Sequence, residues 1–159
     1  MTAPPPVPLH DWAAATTDGW LYLNATGVSV NGQGVLIRGA SGTGKSTLAL
    51  ELMSRGAALI ADDGIWVEAS DGTAPFLERP DAATDLIESR GIGLLRAGEV
   101  CVRAPLALVI DLDLAESERL PPRRRVTTGV TEIPLVLGAG HATLATAVLH
   151  MMMNGREEP

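Results

Sequence analysis

Gly39-Ala40-Ser41-Gly42-Thr43-Gly44-Lys45-Ser46 stands between the apolar triplet Val35-Leu36-Ile37 and a run with helical spacing. Its reading decides the fold. A glycine, four residues, then Gly-Lys-Ser is the spacing of a phosphate-binding loop, and the setting between a strand and a helix separates a working loop from a glycine-rich turn. The glycines let successive backbone N–H groups curl around phosphate oxygens. Lys45 reaches the outer phosphates, and the Ser46 hydroxyl can bind the Mg²⁺ that bridges them. The N-terminus of the following helix adds partial positive charge. Gly39, Ala40, Ser41, Gly42, Thr43, Gly44, Lys45, Ser46 and Thr47 are therefore the expected nucleotide-binding residues, and Lys45 is also counted as catalytic.

Outward from the loop, Val28-Ser29-Val30 and Val35-Leu36-Ile37 flank Asn31-Gly32, a pair suited to the positive φ of a tight hairpin turn. Ser46 to Arg55 predicts a helix with Leu48, Leu52 and Met53 on one side and Gly56 placed to end it. The strand Ala57-Ala58-Leu59-Ile60 follows and is stopped by Asp62-Asp63-Gly64. Further strands are expected at Ile65 to Glu68, Val100 to Arg103 and Leu106 to Leu112, with a final helix from His141 to Met153 before Asn154-Gly155. The alternation predicts an α/β domain. Pro4, Pro5, Pro6 and Pro8 bar a helical start, so residues 1–19 are expected as a flexible N-terminal arm, 20–153 as the domain and 154–159 as a tail.

A length of 159 residues suits one domain, and 46% apolar against 19% charged residues permits a real core. Uncharged apolar stretches fall short of the roughly 20 residues a membrane span needs. Twelve basic residues against 19 acidic ones give a net charge of -7, the opposite of the field that a phosphate backbone requires. Neither a membrane nor a nucleic acid is an expected partner. Cys101 is the only cysteine, which excludes an internal disulfide framework, and its setting between Val100 and Val102 predicts a buried, inert thiol. The start Met1-Thr2-Ala3-Pro4-Pro5-Pro6 has neither the basic residues nor the apolar run of a signal peptide, so the cytoplasm is the expected location.

A phosphate loop needs an acidic element nearby, and two strands end in carboxylates: Leu59-Ile60-Ala61-Asp62-Asp63 and Leu108-Val109-Ile110-Asp111-Leu112-Asp113. A vicinal pair offers one carboxylate for proton removal and another for metal or orientation. Asp62-Asp63 is the preferred pair, because a parallel neighbour of the strand before the loop would end on the same edge. On local sequence alone, Asp-Asp-Gly also reads as a solvated turn.

The third block is Ile87-Glu88-Ser89-Arg90-Gly91-Ile92-Gly93. With the loop and Ala61-Asp62-Asp63, it resembles the catalytic domain of HPr kinase/phosphorylase, whose Glu-Ile-Arg-Gly-Leu-Gly signature is matched by Glu88, Arg90, Gly91 and Gly93. The resemblance runs from about Trp20 to Leu120 and is to the short form made of the catalytic domain only. It implies a P-loop domain with a mixed β-sheet, ATP and Mg²⁺ as cofactors, HPr as protein substrate and a homo-oligomer. It also implies Asp62 as general base, Ser46 and Glu88 as metal-binding positions with Asp63 assisting, and Arg119, in Glu118-Arg119-Leu120, as a catalytic arginine, with a surface arginine the equal alternative. Two departures stand out: Asn24 occupies the place of a family histidine, and Pro134 to His141 lacks the arginines tied to dephosphorylation. The expected activity is thus ATP-dependent phosphorylation of an HPr serine with weak or absent phosphorylase activity. A P-loop small-molecule kinase or NTPase, and a regulator that senses nucleotide without catalysis, are the alternatives.

Other conspicuous residues have plain readings. Arg123-Arg124-Arg125 reads as a solvated basic loop, Met151-Met152-Met153 as a helix end that packs, and Trp12, Trp20 and Trp66 as packing residues. His10, His141 and His150 lack metal-ligand spacing.

Overall fold

The computed structural model describes residues 2–69 and 74–158. Met1 and Pro159, at the outer ends of the expected arm and tail, lie outside the described residues. In chain order the elements are β1 (Val7–Pro8), a 3-10 turn (Leu9–Trp12), β2 (Ala15–Thr17), β3 (Trp20–Leu23), β4 (Thr26–Val30), β5 (Gln33–Arg38) and α1 (Lys45–Met53). Then come β6 (Ala58–Ala61), β7 (Ile65–Glu68), β8 (Phe76–Glu78), β9 (Leu86–Ser89), β10 (Gly93–Arg96), β11 (Arg103–Asp111), β12 (Arg125–Thr128), β13 (Thr131–Leu137) and α2 (Leu144–Asn154). This is the expected α/β class with a mixed sheet.

The sheet is organised by β11. Its second half runs parallel to β5 on one side and to β13 on the other, while its first half pairs antiparallel with β8. From there one branch continues through β7, β3 and β2, and another through β5, β4 and β6. The central strands are buried on both faces, so they read as apolar runs rather than alternations. Val35, Ile37, Leu59, Leu108 and Ile110 join one core with Leu48 and Leu52 of α1 and Val148 of α2. Leu36, Ile60 and Val109 point the other way, into a second core closed by Leu21, Ile65, Leu77 and Leu135. The sheet curls over this second face, which among the described residues carries no α-helix, only the 3-10 turn that contributes Leu9 and Trp12.

Most expected elements appear, with instructive differences. The Asn31-Gly32 hairpin forms with φ of +49° and +79°. The two strands expected around Cys101 are one longer strand: β11 starts at Arg103, and Val100 makes only an isolated bridge to Leu59. Cys101 is half-buried rather than buried. The last helix begins at Leu144, three residues after His141. Within the expected arm, residues 7–17 are not loose: β1 pairs with β12, β2 pairs with β3, and the Leu9 side chain is wholly buried. Proline forbids helix but tolerates an edge strand, and Leu9 supplies the apolar anchor that local composition concealed. Of the three arginines at 123–125, two are ion-paired: Arg124 to Glu116 at 2.6 Å and Arg125 to Glu132 at 2.6 Å. Among the methionines, Met151 and Met152 pack against the helical core and Met153 is exposed. Trp66 packs edge-on against Trp20 and Tyr22.

Candidate functional site

The loop after β5 is built on two glycines whose backbones a side chain would strain. Gly39 has φ +157°, and a Cβ there would lie 2.5 Å from the Thr43 hydroxyl oxygen and 3.2 Å from Leu112 Cβ. Gly44 has φ +102° and is the residue from which α1 starts, with no side chain capping the helix. The first N–H groups of α1 are therefore left for an anion, and the helix dipole favours one there. Lys45 is 8% exposed, yet its Nζ has partners, donating to Gly39 O at 2.8 Å and Ala40 O at 3.3 Å. Thr43 donates both its N–H and its hydroxyl to Ala40 O. The N–H of Ala40 is taken too, by Asp113 Oδ1 at 2.8 Å, so Ala40 shapes the loop without offering that donor to a phosphate.

Asp62 follows β6, whose partner is β4 rather than β5. β4 runs antiparallel to both, so β5 and β6 still end on one edge, with an antiparallel strand between them instead of the direct parallel pairing expected. That intervening strand contributes Thr26, which local sequence did not single out. Its buried hydroxyl donates to Asp62 Oδ1 at 2.9 Å and accepts the Asp63 N–H at 3.2 Å. Ser46 Oγ, in the first turn of α1, donates to the same Oδ1 at 2.8 Å and lies 3.1 Å from Oδ2. Asp63 sits at φ +58°, and its N–H contact with Thr26 helps hold this left-handed turn. A β-branched residue facing a neighbouring strand end is invisible without the sheet order.

The signature block forms a hairpin. Glu88 lies on β9 opposite Leu94 of β10; the turn between the strands contains Gly91 at φ +86°, and Gly93, which opens β10 opposite Ser89, has φ +133°. Ile87 faces inward to the helical core, which leaves Glu88 and Arg90 exposed. Both line a cleft of about 300 Å³ together with Lys45, Ser46, Asp62 and Asp63. Ser41, Gly42, Gly44 and Thr47 complete its loop side. Three carboxylates thus face two cations there, an imbalance that a nucleotide would worsen and a divalent cation would relieve. Among the described residues no three His, Cys, Asp or Glu side chains cluster as a ready-made metal site. The oxygen donors nonetheless fit Mg²⁺, which binds through one or two carboxylates plus substrate phosphates.

Arg119 lies elsewhere, in a groove with Glu118, His141 and Leu144, and within this chain it does not reach the cleft. Asn24 is exposed and does not line the cleft. The alternative acidic end, Asp111, is 2% exposed and bonded to Arg38.

Over residues 21–133 the chain matches the family described as HPr Serine kinase C-terminal domain. It is 41% identical over 98 residues to HPr kinase/phosphorylase of Geobacillus thermodenitrificans, covering 58% of this chain and 32% of that one. To the same-named protein of Polaromonas naphthalenivorans it is 39% identical over 118 residues, 68% and 37% of the two chains. To that of Bacillus velezensis it is 33% identical over 143 residues, 81% and 46%. The chain therefore spans between about a third and a half of the curated relatives it matches. Its fold is that of the HPr(Ser) kinase/phosphatase from Coxiella burnetii, with a TM-score of 0.68 across 84% of this chain and 88% of the other at 23% identity.

Proposed function

Because the chain belongs to the HPr serine kinase C-terminal domain family, we propose that it transfers the γ-phosphoryl group of ATP to a serine of an HPr-type carrier protein. The observation that carries this reading is the meeting of Lys45, Ser46 and Asp62 in one cleft. Lys45 exchanges its loop carbonyls for phosphate oxygens, which retains a charge-assisted bond in a water-poor setting. The free N–H groups at the start of α1 hold the same phosphates. Asp62 accepts the serine proton. Its Oδ1 is occupied by the Thr26 and Ser46 hydroxyls, so Oδ2, with only the longer Ser46 contact, is the freer acceptor. Two hydroxyls on one oxygen fix the plane of the carboxylate and align the attacking oxygen, which is the positioning that phosphoryl transfer mainly needs. Ser46, Asp63 and Glu88 are the oxygen donors suited to Mg²⁺, which when bound neutralises phosphate charge. Arg119 contributes to catalysis only if another subunit or a loop movement brings it to the cleft, in keeping with a homo-oligomer.

We also propose weak or absent phosphorylase activity. The reverse reaction holds a second anion beside the first, and close anions need cations to offset their repulsion. Between Ile133 and Met153 the sequence holds no lysine or arginine. Lys45 and Arg90 are the cations lining the cleft among the described residues. The acidic balance of the chain disfavours a nucleic-acid partner, and no helix among the described residues is long and apolar enough to cross a membrane.

Incubation with labelled ATP, Mg²⁺ and HPr tests the reading. Label appearing on an HPr serine supports it. Turnover without protein acceptor points instead to an NTPase or small-molecule kinase, and binding without turnover to a nucleotide sensor. Release of pyrophosphate from serine-phosphorylated HPr at millimolar phosphate should be far slower than forward transfer; comparable rates would refute the directional part.

A further inference from the structure

The acidic end of β11 has no part in this chemistry, yet its side chains grip the nucleotide loop from behind. Arg38, the last residue of β5, donates through Nη1 to both oxygens of Asp111 at 3.1 Å, and its Nη2 lies 3.4 Å from Asp113 Oδ2. The guanidinium sits 4.3 Å from the centre of the Trp12 ring, a contact made by the N-terminal segment. Asp111 Oδ1 also accepts the Asp113 N–H at 2.9 Å, which sets the turn Asp111-Leu112-Asp113. Asp113 in turn accepts the Ala40 N–H at 2.8 Å.

The Ala40 N–H belongs to the same peptide unit as the Gly39 carbonyl, and a trans peptide points its N–H and C=O in opposite directions. Drawing the N–H outward to Asp113 therefore aims the Gly39 oxygen inward, where it accepts from Lys45 Nζ at 2.8 Å. Gly39 at φ +157° is the residue that permits this orientation. A chain of contacts thus links Trp12, Arg38, Asp111, Asp113, the Gly39–Ala40 peptide and Lys45.

We propose that Asp113, aligned by Arg38 and Asp111, is a positioning residue for the nucleotide loop and presets the place of Lys45 before phosphate arrives. This rests on reading the loop as the nucleotide site. The acceptor oxygen is the working feature rather than the charge, because the Arg38 to Asp113 pair is long and partly exposed, and such pairs contribute little.

The test compares Asp113→Ala with Asp113→Asn in the full chain, by calorimetric titration with ATP and Mg²⁺ and by thermal melting. Asp113→Ala should weaken ATP about tenfold, the effect of losing one hydrogen bond that orders a charged contact. Asp113→Asn keeps an acceptor oxygen and should bind within about twofold of the parent. Both should melt near the parent, since Asp113 lies at the surface. Parental affinity in Asp113→Ala overturns the role while leaving the nucleotide reading intact, and so does a lowered melting temperature at unchanged affinity. Equal loss in Asp113→Ala and Asp113→Asn overturns the acceptor role. A parent that binds no ATP overturns the nucleotide reading and this inference with it.

Discussion

Asp62-Asp63 after β6 and Asp111-Leu112-Asp113 after β11 end strands that point the same way, yet their neighbours make them different objects. Asp62 is met by the hydroxyls of Thr26 and Ser46, neutral donors that orient a carboxylate without cancelling its charge. Asp111 is met by the Arg38 guanidinium and is almost wholly enclosed. One acid is left able to act on something that enters the cleft. The other is consumed in holding the loop. What distinguishes a reactive carboxylate from a bracing one is thus the donor across from it.

Exchanging acid for amide at each end should separate the two most sharply. Asp62→Asn removes the proposed proton acceptor at nearly constant size, and transfer to HPr should fall by roughly the 10²–10⁴-fold that general-base catalysis supplies, with ATP affinity retained. Asp111→Asn should leave transfer within a small factor of the parent; if it abolished transfer while Asp62→Asn did not, the assignments would have to be swapped.

Between the two ends sits Lys45, whose truncation to Ala would remove the proposed contact from its Nζ to phosphate. ATP affinity should drop by about 2–5 kcal/mol, measured by calorimetry. Equal affinity in the mutant would remove the loop from nucleotide binding altogether.

Stability should show the opposite ranking. Asp111→Ala leaves a half-buried guanidinium without its main partner, and a loss of about 2 kcal/mol, or about 4–8 °C in melting temperature, is expected. Asp62→Ala should shift melting by less, since its partners are neutral hydroxyls. Differential scanning calorimetry of both variants checks this; a larger loss in Asp62→Ala would erase the contrast.

The smallest effect concerns acid. Beyond Asp113 the braced side continues to Glu116, whose carboxyl lies below its ordinary value of 4.5 because Arg124 hydrogen-bonds it. A lowered folded-state value stabilises fully above the ordinary value and is lost as pH falls through the lowered one. The melting difference between the parent and Arg124→Ala should therefore be present at neutral pH and shrink on acidification below about pH 4. A difference independent of pH would mean that the pair contributes by packing alone.

Much of this was readable from the chain. The loop Gly39 to Ser46, the Asn31-Gly32 hairpin and the strand before Asp62 each depend on contiguous residues, so their physics is local. The placement of Glu88 beside the loop came from resemblance to a family, since a short acid–arginine–glycine block has no meaning of its own. Thr26, Arg38 and Asp113 were not singled out as site residues: each matters through a partner 36 to 73 positions away. The burial of Leu9 escaped for the same reason, because proline-rich composition argues about helices and says nothing of an edge strand docking on β12.

The sequence by itself determined the phosphate-loop pattern, the alternation of strand and helix, and the acidic excess that disfavours a nucleic-acid partner. Those follow from spacing, from the φ freedom of glycine and from counted charge, none of which needs a neighbour in space. Only the tertiary structure decided what surrounds each acidic strand end, and at Asp62 it did so by inserting β4 between β5 and β6. That strand carries a hydroxyl to Asp62 on one side of the loop, while Arg38 at the end of β5 reaches across to Asp111 on the other. The charge and reach of a carboxylate depend on the group within about 3 Å of it, and a linear chain does not state that distance.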